Sequence, residues 1–268
     1  MTKHSTADSE WDLSAPPQQI QQPYNKWWKT NIGKRIKYGF VREGWDRDIS
    51  EIATLEILAL EKYDPIPARL SQQDREVLRR ISNAGVKRLM MFLDMVDSLE
   101  KVKQFCNKAG ITAEDLKSLL RQIYKYLPFG AQMRQLVEKD DIEFQGYVDK
   151  LLSLKLGHSL ALLEIGRTRE GRNQLSRDSG IPESAVLDLV KRADLTRFHL
   201  MGGGMIRQSW AIGYKGLSAL KKATPDEYWA KCLEHYNRSF KGIPFDMTRQ
   251  GNDIQCQRMK QAPALIEE

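Results

Sequence analysis

Three consecutive glycines, Gly202, Gly203 and Gly204, are the part of the sequence whose spacing most directly suggests a binding site. They follow a charged helix end and precede an apolar segment, so they predict a tight turn between two helices. The first backbone N–H groups of a helix have no partner within the helix, and they attract anions. Arg197 and Arg207 flank the turn and could hold a phosphate beside these groups. We call these five residues the glycine hairpin and consider it a candidate anion or nucleic-acid site.

The two arginines of the glycine hairpin also have an interpretation without a ligand. A basic side chain near the C-terminus of a helix stabilises the negative end of the helix dipole. The glycines lack the lysine and hydroxyl of a nucleotide-binding phosphate loop, and they follow no strand, so they do not predict a nucleotide site. We therefore favour a structural role for the hairpin and keep anion binding as the alternative.

A second group of candidate residues lies in residues 1–47, which we call the N-terminal arm. The arm is polar, rich in glutamine and proline, and without a long helical or strand period, so it predicts an extended segment. It nevertheless holds four of the six tryptophans, and from Tyr24 to Arg42 it carries basic residues with no acidic residue between them. The candidate residues for partner binding are Trp11, Tyr24, Lys26, Trp27, Trp28, Lys29, Lys34, Arg35, Lys37 and Trp45.

Three interpretations of the arm remain open. Its tryptophans could anchor in pockets of a protein partner, since tryptophan dominates many interface hot spots. Its aromatic side chains could stack on bases while its lysines follow the phosphates of a nucleic acid. The arm could instead fold back over its own helical domain and fill surface grooves. Ordering an extended segment costs roughly 1–2 kcal/mol of backbone entropy per residue, so binding through the arm requires buried aromatic anchors.

The sequence offers no recognisable catalytic arrangement. The four histidines are not spaced as metal ligands with one another or with the cysteines. The three cysteines, Cys106, Cys232 and Cys256, form no CxxC pair, so neither a zinc site nor a disulfide framework is favoured. We expect no catalytic residue, no metal and no cofactor, and hence a protein that is not an enzyme.

Helical periodicity and capping signals predict an all-α fold around these candidates. Asp48 and Glu51 have capping-box spacing before a helix, and Pro65 and Pro67 predict a turn. Residues 91–120 align without gaps with residues 161–190; in both copies a helix ends at a glycine and another begins after Gly-Ile. The patterns predict an extended aromatic and basic arm at 1–47, linker helices at 48–83, a helix-hairpin-helix-like repeat domain at 84–242 and an extended tail at 243–268.

Composition limits the class of protein and of partner. The 268 residues are 41% hydrophobic, which is ordinary for a globular protein, and they carry a net charge of +7, which favours an acidic partner. The odd number of separated cysteines fits a reducing compartment. No window approaches the eighteen apolar residues of a membrane-spanning helix. We expect a cytoplasmic protein that is soluble or peripherally attached to a larger complex and does not span a membrane.

A family resemblance rests on residues 192–198 (RADLTRF), the glycine hairpin, the turn at residues 211–213 and the Gly-Ile helix starts. Over about residues 85–240 these features resemble a bacterial family, domain of unknown function family 4332. Its members are similar to tandem helix-hairpin-helix repeats related to the DNA-binding modules of polymerases and repair proteins. The resemblance implies a compact all-α fold and a binding role without catalysis. Such modules usually offer a Gly-x-Gly turn in several repeats, and this chain has that form at the glycine hairpin alone.

Two functions therefore remain. The favoured one is a non-enzymatic assembly subunit, a linker or scaffold that binds partner proteins of a larger complex through its arm and helical repeats. The alternative is a sequence-independent nucleic-acid-binding protein that uses the glycine hairpin and the basic arm.

Overall fold

The computed structural model describes residues 17–60, 68–199, 201–239 and 249–267, and it is an all-α fold, as predicted. In chain order the helices are α1 (Pro17–Trp28), α2 (Lys34–Ile36), α3 (Gly39–Trp45), α4 (Ile49–Ile52), α5 (Gln72–Asn83), α6 (Leu89–Asp94), α7 (Leu99–Ala109), α8 (Ala113–Tyr126), α9 (Ile142–Ser153), α10 (Ser159–Gly166), α11 (Arg169–Ser179), α12 (Glu183–Leu195), α13 (Gly203–Ala211), α14 (Leu217–Lys222), α15 (Pro225–Ser239) and α16 (Arg249–Gln261). A π-helical turn, Lys29–Gly33, joins α1 to α2, and a 3-10 turn, Met133–Gln135, precedes α9. Two strands of two residues each, β1 (Ile57–Leu58) and β2 (Ala68–Arg69), pair antiparallel within the described part of the chain.

The chain divides into two compact units. Among the described residues, unit 1 contains 17–58 and 68–127, whereas unit 2 contains 59–60 and the segments between 128 and 267. The boundary after residue 127 falls inside the region predicted as one repeat domain at 84–242. The predicted linker helix α5 lies within unit 1 and packs against α4 and α8. The division follows from the repeat, because each copy builds a core of its own.

The internal repeat comprises four helices in each copy. Helices α5 and α9 span 72–83 and 142–153, so both of their ends are 70 residues apart. Helices α7 and α11, at 99–109 and 169–179, have the same offset. Helices α6 and α10, and α8 and α12, begin 70 residues apart and end within two residues of that offset. The helices of the two aligned segments thus recur at an offset of 70 residues, and one preceding helix in each copy has the same offset.

Core positions of the two copies correspond as well. The buried positions repeat in α5, α6 and α8 of unit 1 and in α9, α10 and α12 of unit 2, and all are inaccessible to solvent. They are Leu78 with Val148, Phe92 with Leu162, and Leu120 with Val190. Each position therefore keeps its apolar character although the side chain differs, as expected where close packing selects for volume and hydrophobicity.

One long polar contact recurs in both units. In unit 1 the guanidinium of Arg80 donates to the carbonyl oxygen of Gly110 at 3.0 Å. In unit 2 the ammonium of Lys150 donates to the carbonyl oxygen of Gly180 at 3.1 Å. Both glycines end their helix with a positive φ, and the basic side chain satisfies one of the last carbonyl groups. The contact ties the first helix of each copy to the end of the third.

Helix starts follow local capping chemistry. The hydroxyl of Ser71 accepts a hydrogen bond from the backbone N–H of Asp74, whose carboxylate accepts from the backbone N–H of Ser71. The other carboxylate oxygen of Asp74 accepts from the hydroxyl of Ser118, so this cap also joins α5 to α8. Thr112 and Asp115 cap the start of α8 by the same reciprocal bonds.

The connection after the first helix of each copy uses a left-handed residue. In unit 1 this residue is Gly85, with φ of 90°, and in unit 2 it is Lys155, with φ of 62°. Lys155 is the one non-glycine residue with positive φ in the described ranges. A side chain in this region costs roughly 1–2 kcal/mol, which glycine avoids. The repeat geometry therefore holds Lys155 in a conformation that its own residue type disfavours.

The N-terminal arm is helical over most of its described length, which corrects the prediction of an extended segment. Its side chains at positions 24, 27, 28, 32, 35 and 36 are buried, with the spacing of three and four that one face of a helix requires. This face packs in unit 1, where α1 contacts α7. The helical spacing of the buried positions was not recognised in the sequence, because glutamines and prolines dominate the start of the arm.

The predicted extended tail at 243–268 is also corrected, because its central part forms helix α16. Helix α16 packs on α14 and α15, with Cys256 and Met259 buried. After α16 the chain runs without helix along unit 2, where the guanidinium of Arg172 donates to the carbonyl oxygen of Glu267 at 2.7 Å. The Glu267 carboxylate accepts from the backbone N–H of Arg169, the first residue of α11.

Candidate binding surfaces

The aromatic residues of the arm belong to the core of unit 1. Tyr24 is inaccessible to solvent, Trp27 and Trp28 are each 6% exposed, and Trp45 is 3% exposed. The rings of Tyr24 and Trp28 lie stacked with centroids 6.5 Å apart. Trp11 lies outside the described residues. The structure therefore assigns the described tryptophans to the fold-back interpretation of the arm, and they do not project as anchors for a partner.

Two buried polar side chains of the arm, Tyr24 and Arg35, form hydrogen bonds within the same unit. The Tyr24 hydroxyl donates to the carbonyl oxygen of Val96, and burial raises the pKa of this phenol far above its usual value. The Arg35 guanidinium donates to the carbonyl oxygen of Tyr124 at 2.9 Å and lies over the Tyr124 ring. Burial lowers the pKa of Arg35, although its partner Tyr124 opposes the shift. Arg35, predicted as a partner-binding residue, thus closes the C-terminal end of α8.

Four lysines in the described part of the arm are on the surface. Lys26, Lys29, Lys34 and Lys37 are exposed and follow the buried positions at a constant spacing, so they share the outer face of the arm. We call these four residues the lysine row. Partial burial first, and the nearby positive charge of Arg35 second, lower the pKa of Lys34. No acidic residue lies in the arm between positions 23 and 42, so the row keeps its positive charge uncompensated by neighbours in sequence.

The glycine hairpin is less open than the sequence suggested, because Arg197 is an internal residue of unit 2. Its side chain is 1% exposed and pairs with the Asp194 carboxylate at 2.8 Å. It also donates to the carbonyl oxygen of Pro263 at 2.5 Å, which holds the segment after α16. Burial raises the pKa of Asp194, and Arg197 opposes this shift by favouring the charged carboxylate. The pair is a structural contact and offers no free cation to a ligand.

The second arginine of the hairpin is also engaged. Arg207 donates to the carbonyl oxygen of Gln135 and forms a 3.1 Å ion pair with Glu138. A side chain at Gly203 would lie 2.3 Å from the same Gln135 carbonyl oxygen, so this position requires glycine for a close approach of two backbones. Gly202 and Gly204 face open space, so the N-terminus of α13 is accessible on one side. Gly203 and Arg207 thus join α13 to the 3-10 turn, whereas Arg197 contacts Asp194 and the segment after α16.

A further surface, which the sequence did not reveal, is a groove in unit 1. It has a volume of about 740 Å³ and lies among α3, α6 and α7. We call it the methionine groove; its lining residues are Arg42, Asp46, Arg88, Met90, Met91, Asp94, Met95, Lys101, Gln104, Phe105 and Lys108. Met91 is 45% exposed, although long apolar side chains in a helix of this kind normally pack inward. The groove thus joins an apolar floor to a charged rim.

The rim of the methionine groove is held by ion pairs. Arg42 and Asp94 are joined by two hydrogen bonds, one of them 3.0 Å long, and Arg88 contacts Asp46 at 3.0 Å. Asp46 also accepts from the backbone N–H of Met90 at 2.9 Å, which fixes the start of α6. These bonds position α6 relative to α3, and the methionine side chains line the groove beside them. Methionine is flexible and polarisable, so such a floor adapts to varied apolar partners.

The second copy of the repeat carries different residues at the positions that line this groove. The position of Met91 is occupied by Ala161, and those of Lys101 and Lys108 by Gly171 and Asp178. The packing of the repeat therefore does not require the residues that line the groove. This comparison of the two aligned segments is the sequence signal that could have indicated the groove.

The described residues contain no cluster of side chains arranged for metal binding and no activated thiol. No group of three histidine, cysteine or acidic side chains is close enough together there to hold a metal ion. Burial raises the pKa of the thiols of Cys106, Cys232 and Cys256 to about 11, so they are protonated at neutral pH and are weak nucleophiles. Among the same residues, no helix has the length and apolar character needed to cross a membrane.

Comparison with known proteins gives one finding. No curated protein and no solved structure matches the chain significantly. Residues 144–241, which include α10 to α14 and the glycine hairpin, match a family model. The predicted resemblance is thus confirmed for unit 2, whereas its predicted extension back to about residue 85 lies outside the match. The matching family is described as a domain of unknown function (DUF4332), and this part of the chain resembles it.

Proposed function

We propose that the protein is a non-enzymatic assembly subunit that binds a partner protein through the methionine groove of unit 1. The observation that carries this proposal is the apolar lining of the groove, above all Met91, which is 45% exposed. An apolar patch bordered by charged residues is the usual composition of a protein interface, with a buried centre and a polar rim. We propose the groove instead of the arm tryptophans as the surface for partner proteins, because Trp27, Trp28 and Trp45 are buried in the core of unit 1.

The different residues at these positions in the second copy support this role. Packing of the repeat tolerates Ala161 where unit 1 carries Met91, so the exposed methionine is not explained by the stability of α6. Two ion pairs join α3 and its end to α6 and its start beside the groove, and they reduce the freedom that the groove would lose on binding. Both features are expected of a preorganised protein interface.

Photocrosslinking in native extract tests the proposal. The photoreactive residue p-benzoylphenylalanine is placed at Met91 in one variant and, as a control of similar exposure in unit 2, at Ile165, which is 40% exposed. We expect a discrete protein adduct from position 91 that persists at high salt, and none from position 165. Adducts that form equally at both positions, or adducts with nucleic acid at position 91, contradict the proposal.

A second candidate function, sequence-independent binding of nucleic acid, is favoured by the lysine row. Four exposed ammonium groups on one helical face can follow a phosphate backbone and release its counterions. The glycine hairpin contributes less to this candidate, because Arg197 and Arg207 are engaged internally.

Salt-dependent binding of a fluorescent oligonucleotide tests the second candidate. Changing Lys26, Lys29, Lys34 and Lys37 to glutamine should reduce the slope of log affinity against log salt by about one for each contacting lysine. Gly204→Glu, which adds a negative charge at the open side of the hairpin, should leave the affinity within about twofold. An unchanged salt dependence in the lysine variant, together with a large loss of affinity in Gly204→Glu, would indicate that the nucleic acid binds at the hairpin.

We also propose that each copy of the four-helix repeat is a diverged helix-hairpin-helix unit. The support is the shared left-handed turn at Gly85 and Lys155 and the shared contact of a basic side chain with a glycine carbonyl. An experimental structure in which the two copies superpose on known helix-hairpin-helix domains would support this; a different connection between α5 and α6 would contradict it.

A further inference from the structure

We infer that the occupant of the methionine groove is an amphipathic helix of a partner protein, with acidic side chains flanking its apolar face. This inference rests on the proposed function and adds the chemistry of the partner. It follows from three features of the groove: its helical walls, its apolar floor and the sign of its unpaired charge.

The walls of the groove determine the backbone conformation of the occupant. The groove lies among α3, α6 and α7, and none of its lining residues belongs to a strand. It therefore offers no sheet edge to which an extended peptide could add a strand. A peptide buried against methionine side chains must satisfy its own N–H and C=O groups, and a helix does so.

The floor determines the apolar face of the occupant. Met91 on α6, Met95 directly after α6 and Phe105 on α7 line the groove as an apolar strip, in which Met91 is exposed, Met95 half-buried and Phe105 buried. Side chains spaced three and four residues apart on a docked helix would lie along this strip, as in other complexes of a helix in a groove. Flexible methionine side chains allow leucine, isoleucine or phenylalanine to be accommodated.

The rim determines the charge of the occupant. The lining contains four basic and two acidic residues, and the two acidic residues already pair with Arg42 and Arg88. Lys101 pairs with Asp97 just outside the lining, at 2.7 Å. Lys108 is exposed and forms no ion pair with any residue in the described part of the chain. The groove thus ends in an uncompensated positive charge, which complements a carboxylate on the occupant.

Titration of methionine methyl groups with designed peptides tests the inference. The full chain is labelled with 13C-methyl methionine, and the signals of Met91 and Met95 are assigned by single changes to leucine. The probes are three peptides of about 18 residues, or five helical turns. One carries a leucine stripe with flanking glutamates, the second has lysines in place of the glutamates, and the third has the composition of the first without a stripe.

The glutamate peptide should shift the Met91 and Met95 signals and leave those of Met201 and Met205 in unit 2 unchanged. It should bind at least about tenfold more tightly than the lysine peptide or the scrambled peptide. Lys108→Asp, which introduces the residue of the second copy, should reverse the preference between the glutamate and lysine peptides. Met91→Ala, the other residue of the second copy, should weaken binding while circular dichroism stays unchanged.

Equal affinity for the three peptides, or shifts confined to unit 2, overturns the inference. If no peptide binds the groove while photocrosslinking at position 91 still yields a protein adduct, the helical occupant is rejected and the proposed function stands. If the glutamate peptide binds as described and the extract yields no adduct, the chemistry of the groove is supported and the proposed function fails.

Discussion

The indole nitrogen of Trp45 donates a hydrogen bond to the carbonyl oxygen of Tyr126, at 3.1 Å. This bond connects the end of the arm to the last residue of α8, and both residues are buried. The aromatic arm is consequently part of the core of unit 1. We therefore propose the methionine groove, and not the tryptophans of the arm, as the surface that a partner binds.

Trp27→Ala should lower the stability of unit 1 strongly. The side chain is buried, and truncation of a buried tryptophan typically costs about 3–5 kcal/mol through lost transfer energy and the cavity left behind. Urea unfolding followed by circular dichroism measures the loss. Lys26→Ala, at the exposed neighbouring position, is the matched control and should change the free energy of unfolding by less than about 0.5 kcal/mol. Equal effects would mean that the arm is not packed in the core.

Exchanging the left-handed residues of the two copies should change stability in opposite directions. Lys155→Gly removes the cost of a side chain at positive φ and should stabilise unit 2 by up to about 1 kcal/mol. Gly85→Lys should destabilise unit 1 by about 1 kcal/mol, although no atom lies within 4 Å of the added Cβ. Thermal unfolding of both variants checks the prediction. A loss of stability in Lys155→Gly would show that the lysine side chain makes a compensating contact.

Arg197→Met should destabilise unit 2 more at neutral pH than at acidic pH. It leaves the buried Asp194 carboxylate unpaired, which typically costs about 3–5 kcal/mol. Burial raises the folded-state pKa of Asp194, and loss of Arg197 raises this pKa further. A carboxyl group with a raised pKa contributes stability that is present below its unfolded pKa and is lost as the pH rises through the folded pKa.

Urea unfolding of Arg197→Met and of the wild type at about pH 5 and pH 8 measures this difference, and the loss should be smaller at the lower pH. Adding Asp194→Asn to Arg197→Met removes the unpaired charge and should recover part of the stability at the higher pH. A loss that is independent of pH would indicate that the bond from Arg197 to the Pro263 carbonyl oxygen carries the effect.

Much of the helical fold could be predicted from local signals. A Gly-Ile pair precedes a helix in both copies, and Thr112 with Asp115 caps the start of α8. Such signals are visible in the sequence because capping depends on a few adjacent residues. The four-helix extent of the repeat was not visible, since α5 and α9 conserve positions of burial and few identities. The prediction of an extended arm was wrong because the buried positions of the arm interleave with glutamine, proline and lysine. Without the tertiary contacts, such a sequence does not distinguish a helix that packs on the core from an extended segment.

The binding surfaces could be predicted less well. The arginines of the glycine hairpin were recognised as a pair, but their partners Asp194 and Gln135 depend on tertiary packing. Lys108 and Met91 lie seventeen residues apart on separate helices, and only their packing creates a common groove. A binding surface formed by several elements has no contiguous motif in the chain.

The most direct test of the central claim is the size of the native assembly in high salt, measured by sedimentation for the wild type and matched variants. Met91→Glu places a charge on the apolar floor and should release the protein from its assembly, with Met91→Ala giving partial loss. Replacement of the lysine row by glutamine should leave the assembly intact. Retention of Met91→Glu together with release of the lysine variant would contradict the account and favour nucleic acid as the partner.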